Sequence, residues 1–275
     1  TVHSALDRAG LQPDDVDFLI YTGVARGWVE PAMANVVQAE AGLSRATCFD
    51  VMDGCAGWLR ALHIAHGFIR GGVYRKGLLV NCEAGVLGLQ KWDYEPGEEI
   101  EPYLATYTIG EAVTATVVAA DDETEDDFYF RFENFGEYFD LCMVPLPTVE
   151  QFLPRSKTNG HPTNVFYAHS DILLRKATQL IARSFVSDPH LSEGQYDVAF
   201  GHAASEKASE LVCAMLDFPR EKFYSTHRDY GNTITAAIPL AMSLAEKEGR
   251  LKRGHKVLVV AGASGITIGF ASFTY

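Results

Sequence analysis

One short pattern occurs twice in the chain, first as Gly54-Cys55-Ala56-Gly57-Trp58-Leu59-Arg60-Ala61-Leu62 and again as Gly231-Asn232-Thr233-Ile234-Thr235-Ala236-Ala237-Ile238-Pro239. Each copy starts with a glycine and continues into an alanine-rich segment typical of a helix. The two leading glycines lie 177 residues apart. This repetition predicts two equivalent helices, each entered through a tight turn that glycine permits.

The segments around both copies repeat in the same order. Asp15–Tyr21 parallels Gln195–Gly201, with Asp17 and Asp197 aligned at a spacing of 180, and both segments predict a short buried strand after a polar turn. Each predicted helix is followed by a basic, glycine-containing turn and then by a continuous apolar strand. The turns span residues 70–77 and 248–254, and the strands are Leu78–Val80 and Val257–Val260.

Strands without polar alternation, separated by helices, are typical of parallel sheets that are covered on both faces. The repeat therefore predicts an α/β protein of two pseudo-symmetric halves, which we place at residues 1–127 and 128–275. A pseudo-twofold relation between the halves would bring the amino-terminal ends of the two helices, with Cys55 and Asn232, toward one centre.

The composition argues against several classes of protein. Of the 275 residues, 47% are hydrophobic and 21% are charged, so the chain can bury a large core. The net charge of −13 argues against a nucleic-acid partner, whose phosphates need a basic face. No apolar run reaches the roughly 18 residues of a membrane span, so we expect a cytoplasmic protein without a membrane partner. The acidic run at residues 121–127 lacks the spacing of a calcium loop and predicts a solvated loop.

The five cysteines include no C-x-x-C pair, which argues against a zinc site or a disulfide framework. Cys55 is predicted to lie at a helix amino terminus, where unpaired backbone N–H groups favour the thiolate and lower the thiol pKa. Its small neighbours leave room for a substrate to approach. Cys55 is therefore a candidate nucleophile, and the alternative is an inert buried cysteine.

Two polar residues and one turn are candidates to assist Cys55. His202 follows a predicted buried strand, at the carboxyl end where parallel sheets bind ligands, although a histidine there can also be a satisfied core residue. Asn232, taken alone, is more simply explained as a helix cap. The segment Ala261–Gly269 is a small-residue turn that leads into a strand and lacks a P-loop lysine, so its backbone N–H groups suit an oxyanion better than a phosphate.

With these residues assembled, the chain resembles the thiolase superfamily, and most closely its ketoacyl synthase III branch of condensing enzymes. Three motifs carry the resemblance, which covers nearly the whole chain. They are the nucleophile segment Phe49–Leu62, the histidine segment Gly201–Ala204 and the Gly-Asn-Thr segment Arg228–Thr233. The resemblance implies a thiolase-like fold, with the two α/β halves in a layered αβαβα arrangement.

The resemblance also implies an acyltransferase activity. Cys55 would accept an acyl group from acyl-CoA or an acyl carrier protein, and His202 and Asn232 would hold a malonyl-type thioester while it loses carbon dioxide. The backbone N–H groups of Cys55 and Ser264 would form the oxyanion hole. By the same resemblance we expect a homodimer, phosphopantetheine-linked substrates, and neither a metal nor any other cofactor.

Two further positions follow from the resemblance. Lys207 lies where the family places a basic residue that docks the acidic carrier protein, and the alternative is a solvated helix lysine. Trp28 precedes Pro31 in a loop that often reaches toward the dimer partner's acyl pocket. The tryptophan would shorten or cap that pocket, or would simply pack.

Departures from the family pattern predict a specialised relative that serves secondary metabolism. The usual His-Gln-Ala-Asn reads His202-Ala203-Ala204-Ser205, and the usual Gly-Asp-Gly-Ala-Gly reads Gly110-Glu111-Ala112-Val113-Thr114. Asp53 places a carboxylate near the nucleophile, where it would oppose the thiolate. The chain also begins at the predicted first helix, Val2–Ala9, without the family's opening strand. We expect that strand to be central to the first sheet, and the native protein to have additional amino-terminal sequence.

The sequence leaves two alternatives to decarboxylative condensation. Cys55 could pass its acyl group to an alcohol or an amine, with His202 as general base and no loss of carbon dioxide. The chain could instead be a catalytically silent subunit that keeps the fold for assembly. The same three side chains would serve either of the two reactions.

Overall fold

The computed structural model describes residues 1–121, 125–154, 160–202 and 204–275. The α-helices are α1 (Val2–Ala9), α2 (Met33–Glu40), α3 (Gly57–Arg70), α4 (Ser170–Val186), α5 (Pro189–Ser192), α6 (Glu206–Met215), α7 (His227–Tyr230) and α8 (Ala237–Lys247). The strands are β1 (Phe18–Tyr21), β2 (Thr47–Asp50), β3 (Lys76–Glu83), β4 (Ala112–Ala119), β5 (Tyr129–Tyr138), β6 (Cys142–Met143), β7 (Tyr167–Ala168), β8 (Val198–Gly201), β9 (Phe223–Tyr224), β10 (Lys256–Ala263) and β11 (Gly265–Thr274).

Two larger sheets form the framework of the protein. The first has the strand order β2-β1-β3-β4, and the second has the order β5-β11-β10-β8-β9. The central strands are parallel, as predicted, but β4 runs antiparallel to β3, and β11 runs antiparallel to β10. The expectation of purely parallel sheets was therefore wrong for the last strand of each half. In the second half a single-residue turn at Ser264 joins β10 to β11, and so short a connection forces the strand to reverse.

The helices lie in three layers around the two sheets. α3 and α8 supply buried residues to the largest apolar cluster, together with strands of both sheets, so these two helices are sandwiched between the sheets. α1 and α2 cover the outer face of the first sheet. α4 and α6 cover the outer face of the second. This is the layered αβαβα arrangement that the resemblance implied.

The predicted internal repeat is visible at the level of single hydrogen bonds. The backbone N–H of Asp17 donates to the carbonyl of Lys76, and that of Asp197 donates to the carbonyl of Lys256, both at 2.9 Å. Each aspartate carboxylate in turn accepts from the N–H of the same lysine, at 2.9 Å and 2.8 Å. The two halves therefore fix the register of their central strands with the same pair of contacts.

The repeat also indicates a place for the family's opening strand. In the second sheet the first strand in sequence, β5, pairs with β11 at the edge. The equivalent place in the first sheet lies beside β4, which pairs only with β3 among the described strands. The repeat therefore favours an edge position for an opening strand over the expected central one, and its place stays a prediction. The first helix, α1, spans Val2–Ala9 as predicted.

The acidic run at residues 121–127 is partly held by ion pairs. Asp126 lies 2.9 Å from His66 Nε2 and 3.0 Å from Arg70 Nε, and Asp127 bonds Lys256 and the N–H of Thr274. These contacts tie the end of the run to α3 and to the second sheet, and the described part of the run is an irregular, largely exposed loop, as predicted. Residues 122–124 lie outside the described ranges. Within those ranges no helix is both long and apolar enough to cross a membrane.

Candidate active site

Cys55 lies in a tight turn between β2 and α3, two residues before the helix begins. The turn depends on Gly54, whose φ of +48° is in the left-handed region. A Cβ on Gly54 would lie 2.8 Å from Oγ of Ser264 and 3.9 Å from its backbone nitrogen. The nucleophile turn and the β10–β11 turn therefore lie next to each other, and the oxyanion role of Ser264 stays a prediction.

An apolar cluster packs around the Cys55 side chain. Its members come from five separate segments of the chain and are Val24, Ala25, Val86, Ile109, Phe166 and Ile234. These side chains give the thiol an apolar environment.

The environment of Cys55 stabilises the neutral thiol. Burial raises the pKa of the Cys55 thiol well above its ordinary value, and Cys142, Glu83 and Asp53 act in the same direction. The backbone N–H of Cys55 lowers the pKa, but burial outweighs it. The predicted lowering of the pKa was therefore wrong. The reason is that a thiolate here loses more hydration than the nearby N–H groups replace.

Asn232 is fixed by its backbone and by one side-chain bond. Its N–H donates to the carbonyl of Thr108 at 2.8 Å, and its own carbonyl accepts from the N–H of Gly110 at 3.0 Å. Its Oδ1 accepts from the N–H of Ile234 at 3.0 Å. Asn232 does not cap α8, because a 3₁₀ turn intervenes and α8 begins only at Ala237. With Oδ1 engaged, the amide Nδ2 is the group left to donate to a ligand.

Ile234 is a part of the site that the sequence did not predict. Its φ of +50° is rare for a β-branched residue, and such strain is held only where surrounding contacts enforce it. Its side chain packs in the same apolar cluster as Cys55, and its backbone hydrogen-bonds the imidazole of His202. No local pattern marks this residue, because the strain arises from contacts between distant segments.

His202 directly follows β8, as predicted, and its backbone N–H donates to the carbonyl of Val260 in β10 at 3.1 Å. Burial lowers the pKa of His202 to about 4, the Ile234 backbone opposes this shift, and His227 adds to it. His202 is therefore a neutral imidazole near pH 7, able either to donate or to accept one hydrogen bond.

A buried carboxylate connects the two halves beside the site, and sequence reasoning missed it. Glu83, at the end of β3, is 0% exposed. Its carboxylate accepts from the N–H groups of Val24 and Ala25 at 3.0 Å, and from both the N–H and the hydroxyl of Thr235. Burial raises the pKa of Glu83, and these hydrogen bonds oppose the shift. The sequence signal that could have identified Glu83 is a charged residue at the end of an apolar strand.

The two remaining predicted positions lie on the surface. Trp28 is 41% exposed, its indole N–H donates to the carbonyl of Pro31 at 2.8 Å, and it is not part of the apolar cluster around Cys55. Its predicted role in a partner's pocket stays a prediction. Lys207 is exposed in the first turn of α6. Ser205 caps that helix by accepting from the N–H of Ala208 at 3.0 Å, and Ala203 is outside the described ranges.

Two family profiles match the chain. Residues 49–133 match 3-oxoacyl-[acyl-carrier-protein] synthase III, and residues 187–275 match its C-terminal part, so the two together cover more than half of the sequence. A beta-ketoacyl-[acyl-carrier-protein] synthase III from Clostridium perfringens is 27% identical over 274 residues, covering 97% of this chain and 80% of the relative.

Solved structures share the fold along the whole chain. The 3-oxoacyl-[acyl-carrier-protein] synthase III from Aquifex aeolicus superposes with a TM-score of 0.83 at 23% identity, covering 100% of this chain and 82% of that protein. An OleA variant from Xanthomonas campestris, solved with lauric acid and lauroyl-CoA, superposes with a TM-score of 0.85 at 20% identity, covering 100% and 80%. The nucleophile turn and the profile matches lead to one conclusion: the chain belongs to the 3-oxoacyl-[acyl-carrier-protein] synthase III family of the thiolase superfamily, and it is an acyltransferase of the condensing-enzyme type.

Proposed function

We propose that the protein forms an acyl-thioester on Cys55 and condenses that acyl group with a malonyl-type thioester. The observation that carries the proposal is the position of Ile234. Its side chain packs beside Cys55, its N–H is held by Asn232, and its backbone bonds His202. Cys55, His202 and Asn232 each contact Ile234, although Cys55 and His202 lie far from it in the sequence. A shared reaction centre requires such an arrangement.

The first step is the transfer of an acyl group to Cys55. The sulfur attacks the thioester carbonyl, a carbon–sulfur bond forms at Cys55, and the bond to the donor's sulfur breaks. The thiol proton leaves with the departing thiolate, which becomes a free thiol. Because Cys55 rests as a neutral thiol, proton removal belongs to this step, and the sulfur of the departing thiolate takes up the proton.

Backbone N–H groups stabilise the oxyanion of this step. The contact between Gly54 and the Ser264 turn supports a hole built from the N–H groups of Cys55 and Ser264. One such donor is typically worth about 3 to 4 kcal/mol of transition-state stabilisation.

The second step uses His202 and Asn232. His202 Nε2–H and Asn232 Nδ2–H donate to the carbonyl oxygen of the malonyl thioester and stabilise the enolate that forms as its carboxylate departs as carbon dioxide. The enolate carbon then attacks the acyl-Cys55 carbonyl, and the carbon–sulfur bond at Cys55 breaks. The released thiolate takes up a proton, which restores the resting thiol.

We further propose the finer features of substrate and assembly. The donor is an acyl-CoA or acyl carrier protein, with exposed Lys207 as a docking contact for an acidic carrier, and the product serves secondary metabolism. A homodimer is proposed because β2 pairs only with β1 among the described strands and so leaves an open sheet edge. Light scattering after gel filtration measures the assembly, and a monomeric mass would remove the dimer.

Intact-protein mass spectrometry tests the nucleophile. After incubation with acetyl-CoA or lauroyl-CoA, we expect one acyl adduct that maps to Cys55 and disappears in Cys55→Ala. Cys48→Ala is the matched control, because Cys48 lies in β2 outside the apolar cluster around Cys55 and its loss leaves the adduct in place. A chain that never forms the adduct would be the silent subunit instead.

Carbon dioxide release then distinguishes the acceptors. With malonyl-CoA or a malonyl carrier protein, His202→Ala and Asn232→Ala should decarboxylate about a hundredfold more slowly than the unchanged protein. An adduct that is consumed by an alcohol or amine, with no carbon dioxide released from malonyl thioesters, would instead establish acyl transfer without condensation. Lys207→Glu should slow the reaction with carrier-bound substrates only.

A further inference from the structure

Three buried polar atoms with unmet hydrogen bonds lie around His202. They are Nδ1 of His202, Oγ1 of Thr226 and Nε2 of His227, and none has a hydrogen-bond partner among the residues that the structure describes. Buried polar atoms are almost always paired with protein groups or ordered water. Their concentration at one place therefore points to a shared partner.

The sheet register brings these residues together. β8 and β9 are parallel, with Ala199 opposite Phe223 and Phe200 opposite Tyr224. Extending the same register by two residues places His202 beside Thr226, which is 4% exposed. His227 follows immediately as the first residue of α7. The backbone positions of these three residues thus lie together where the two strands end.

A second observation connects the two imidazoles. His227 is close enough to His202 to lower the His202 pKa electrostatically, after the larger effect of burial. This effect and burial both disfavour the protonated form of His202, so His202 is suited to exchange hydrogen bonds as a neutral ring.

We propose that His227 is a positioning residue for His202, and that its Nε2–H, through one buried water shared with Thr226, supplies the hydrogen bond for His202 Nδ1. The inference rests on the proposed role of His202 as a donor to the thioester carbonyl. A neutral imidazole carries one N–H. When Nδ1 accepts a hydrogen bond, the proton is on Nε2, which is the form that donates to a substrate.

Every donor and acceptor in this proposed arrangement has a partner. The water accepts from His227 Nε2–H, donates one hydrogen to His202 Nδ1 and donates the other to Thr226 Oγ1. About three hydrogen bonds is the usual number for a buried water. Together with the Ile234 backbone bond to the imidazole, this chain of bonds holds the His202 tautomer before any substrate arrives.

The test combines kinetics with the tautomer itself. We expect His227→Leu to slow malonyl-CoA decarboxylation about tenfold, the effect of one lost hydrogen bond, while the rate of Cys55 acylation stays the same. His227→Gln, whose amide can donate from nearly the same position, should recover the rate to within about threefold. Nitrogen-15 NMR of the histidine side chains should show the Nε2–H form of His202 in the unchanged protein and a loss of that form in His227→Leu.

A matched control and a second pair of variants keep the test decisive. His255→Leu removes an imidazole that also has a buried unpartnered Nδ1 but lies just before β10, and it should leave the His202 signal and the decarboxylation rate unchanged. If His227→Leu does not fold, Thr226→Val should shift the tautomer and Thr226→Ser should restore it.

Two outcomes overturn the proposal. One is an unchanged His202 tautomer and decarboxylation rate in His227→Leu, and the other is an unchanged tautomer in a folded Thr226→Val. Failure of the proposed function gives a different result, because the unchanged protein would then form no Cys55 adduct. The NMR measurement would still show whether His227 controls the His202 tautomer.

Discussion

The carboxylate of Asp53 lies 2.8 Å from Nε of Arg60, so the acidic residue beside the nucleophile is paired with a cation in the first turn of α3. Arg60 also lies 3.6 Å above the ring of Phe132 in β5, which joins the start of α3 to the second half of the protein. Of the named influences that raise the Cys55 pKa, Asp53 contributes the least. Asp53 thus opposes the thiolate in the predicted direction, while its main contact holds α3 in place.

Asp53→Asn should therefore change reactivity little and stability modestly. We expect alkylation of Cys55 by iodoacetamide to stay within about threefold, because the charge is a minor influence on the pKa. The free energy of unfolding should fall by about 1 kcal/mol, since the ion pair is partly solvated. Urea denaturation measures the second effect, with Asp7→Asn, an exposed substitution in α1, as control. A thirtyfold faster alkylation would show that Asp53 dominates the pKa.

Cys55 itself should react slowly and show an unusual pH dependence. Its folded pKa is raised, so at pH 8 we expect alkylation at least tenfold slower than for glutathione, with a rate still rising through pH 9. Above the ordinary thiol pKa, Cys55 loses its proton in the unfolded chain but keeps it in the folded protein. The free energy of unfolding therefore falls as the pH rises further. A plateau of the alkylation rate below pH 8 would contradict the raised pKa.

His202 should remain catalytically competent in mild acid. Because its folded pKa is about 4, decarboxylation should keep its rate as the pH falls through 6.5 and lose it only near pH 4. The folded pKa lies below that of the unfolded chain, which therefore takes up the proton first. The contribution of His202 to the free energy of unfolding is therefore present above pH 6.5 and is lost as the pH falls toward 4. An acid limb of the rate profile near 6.5 that disappears in His202→Gln would oppose this assignment.

Removing the Glu83 carboxylate should be among the most destabilising single changes. Glu83→Ala leaves three backbone N–H groups and one hydroxyl without their acceptor, which should cost about 3 to 5 kcal/mol. Glu83→Gln keeps one oxygen but turns an amide NH₂ toward donors, so we expect an intermediate loss of about 1 to 3 kcal/mol. Thermal and urea unfolding give both values. Glu101→Ala, an exposed control, should leave stability within about 0.5 kcal/mol.

Gly110 tests the connection between the first half and the Asn232 turn. A Cβ at this position would lie 1.8 Å from the carbonyl oxygen of Tyr230, so Gly110→Ala must displace backbone and should cost about 3 kcal/mol or more. Gly88→Ala is the matched control, because nothing lies within 4 Å of a Cβ there. We expect Gly110→Ala to lose decarboxylation activity as well, and wild-type stability in that variant would refute the close approach.

The sequence by itself determined the duplicated framework, because its signals are local and occur twice. The bounds of α1, the apolar centres of β3 and β10, and the alignment of Asp17 with Asp197 all follow from patterns within a few residues. Such patterns report strand burial and turn chemistry directly. The placement of His202 after β8 is of the same kind.

The tertiary structure alone decided the electrostatics and the strain of the site. The direction of the Cys55 pKa shift depends on how many segments bury the thiol. The αL conformation of Ile234 depends on its bond to Asn232 and on the apolar cluster around its side chain. The convergence of His227 with His202 likewise needs the pairing of β8 with β9. Desolvation and strain arise from contacts between residues far apart in the chain, so no short window of sequence contains them.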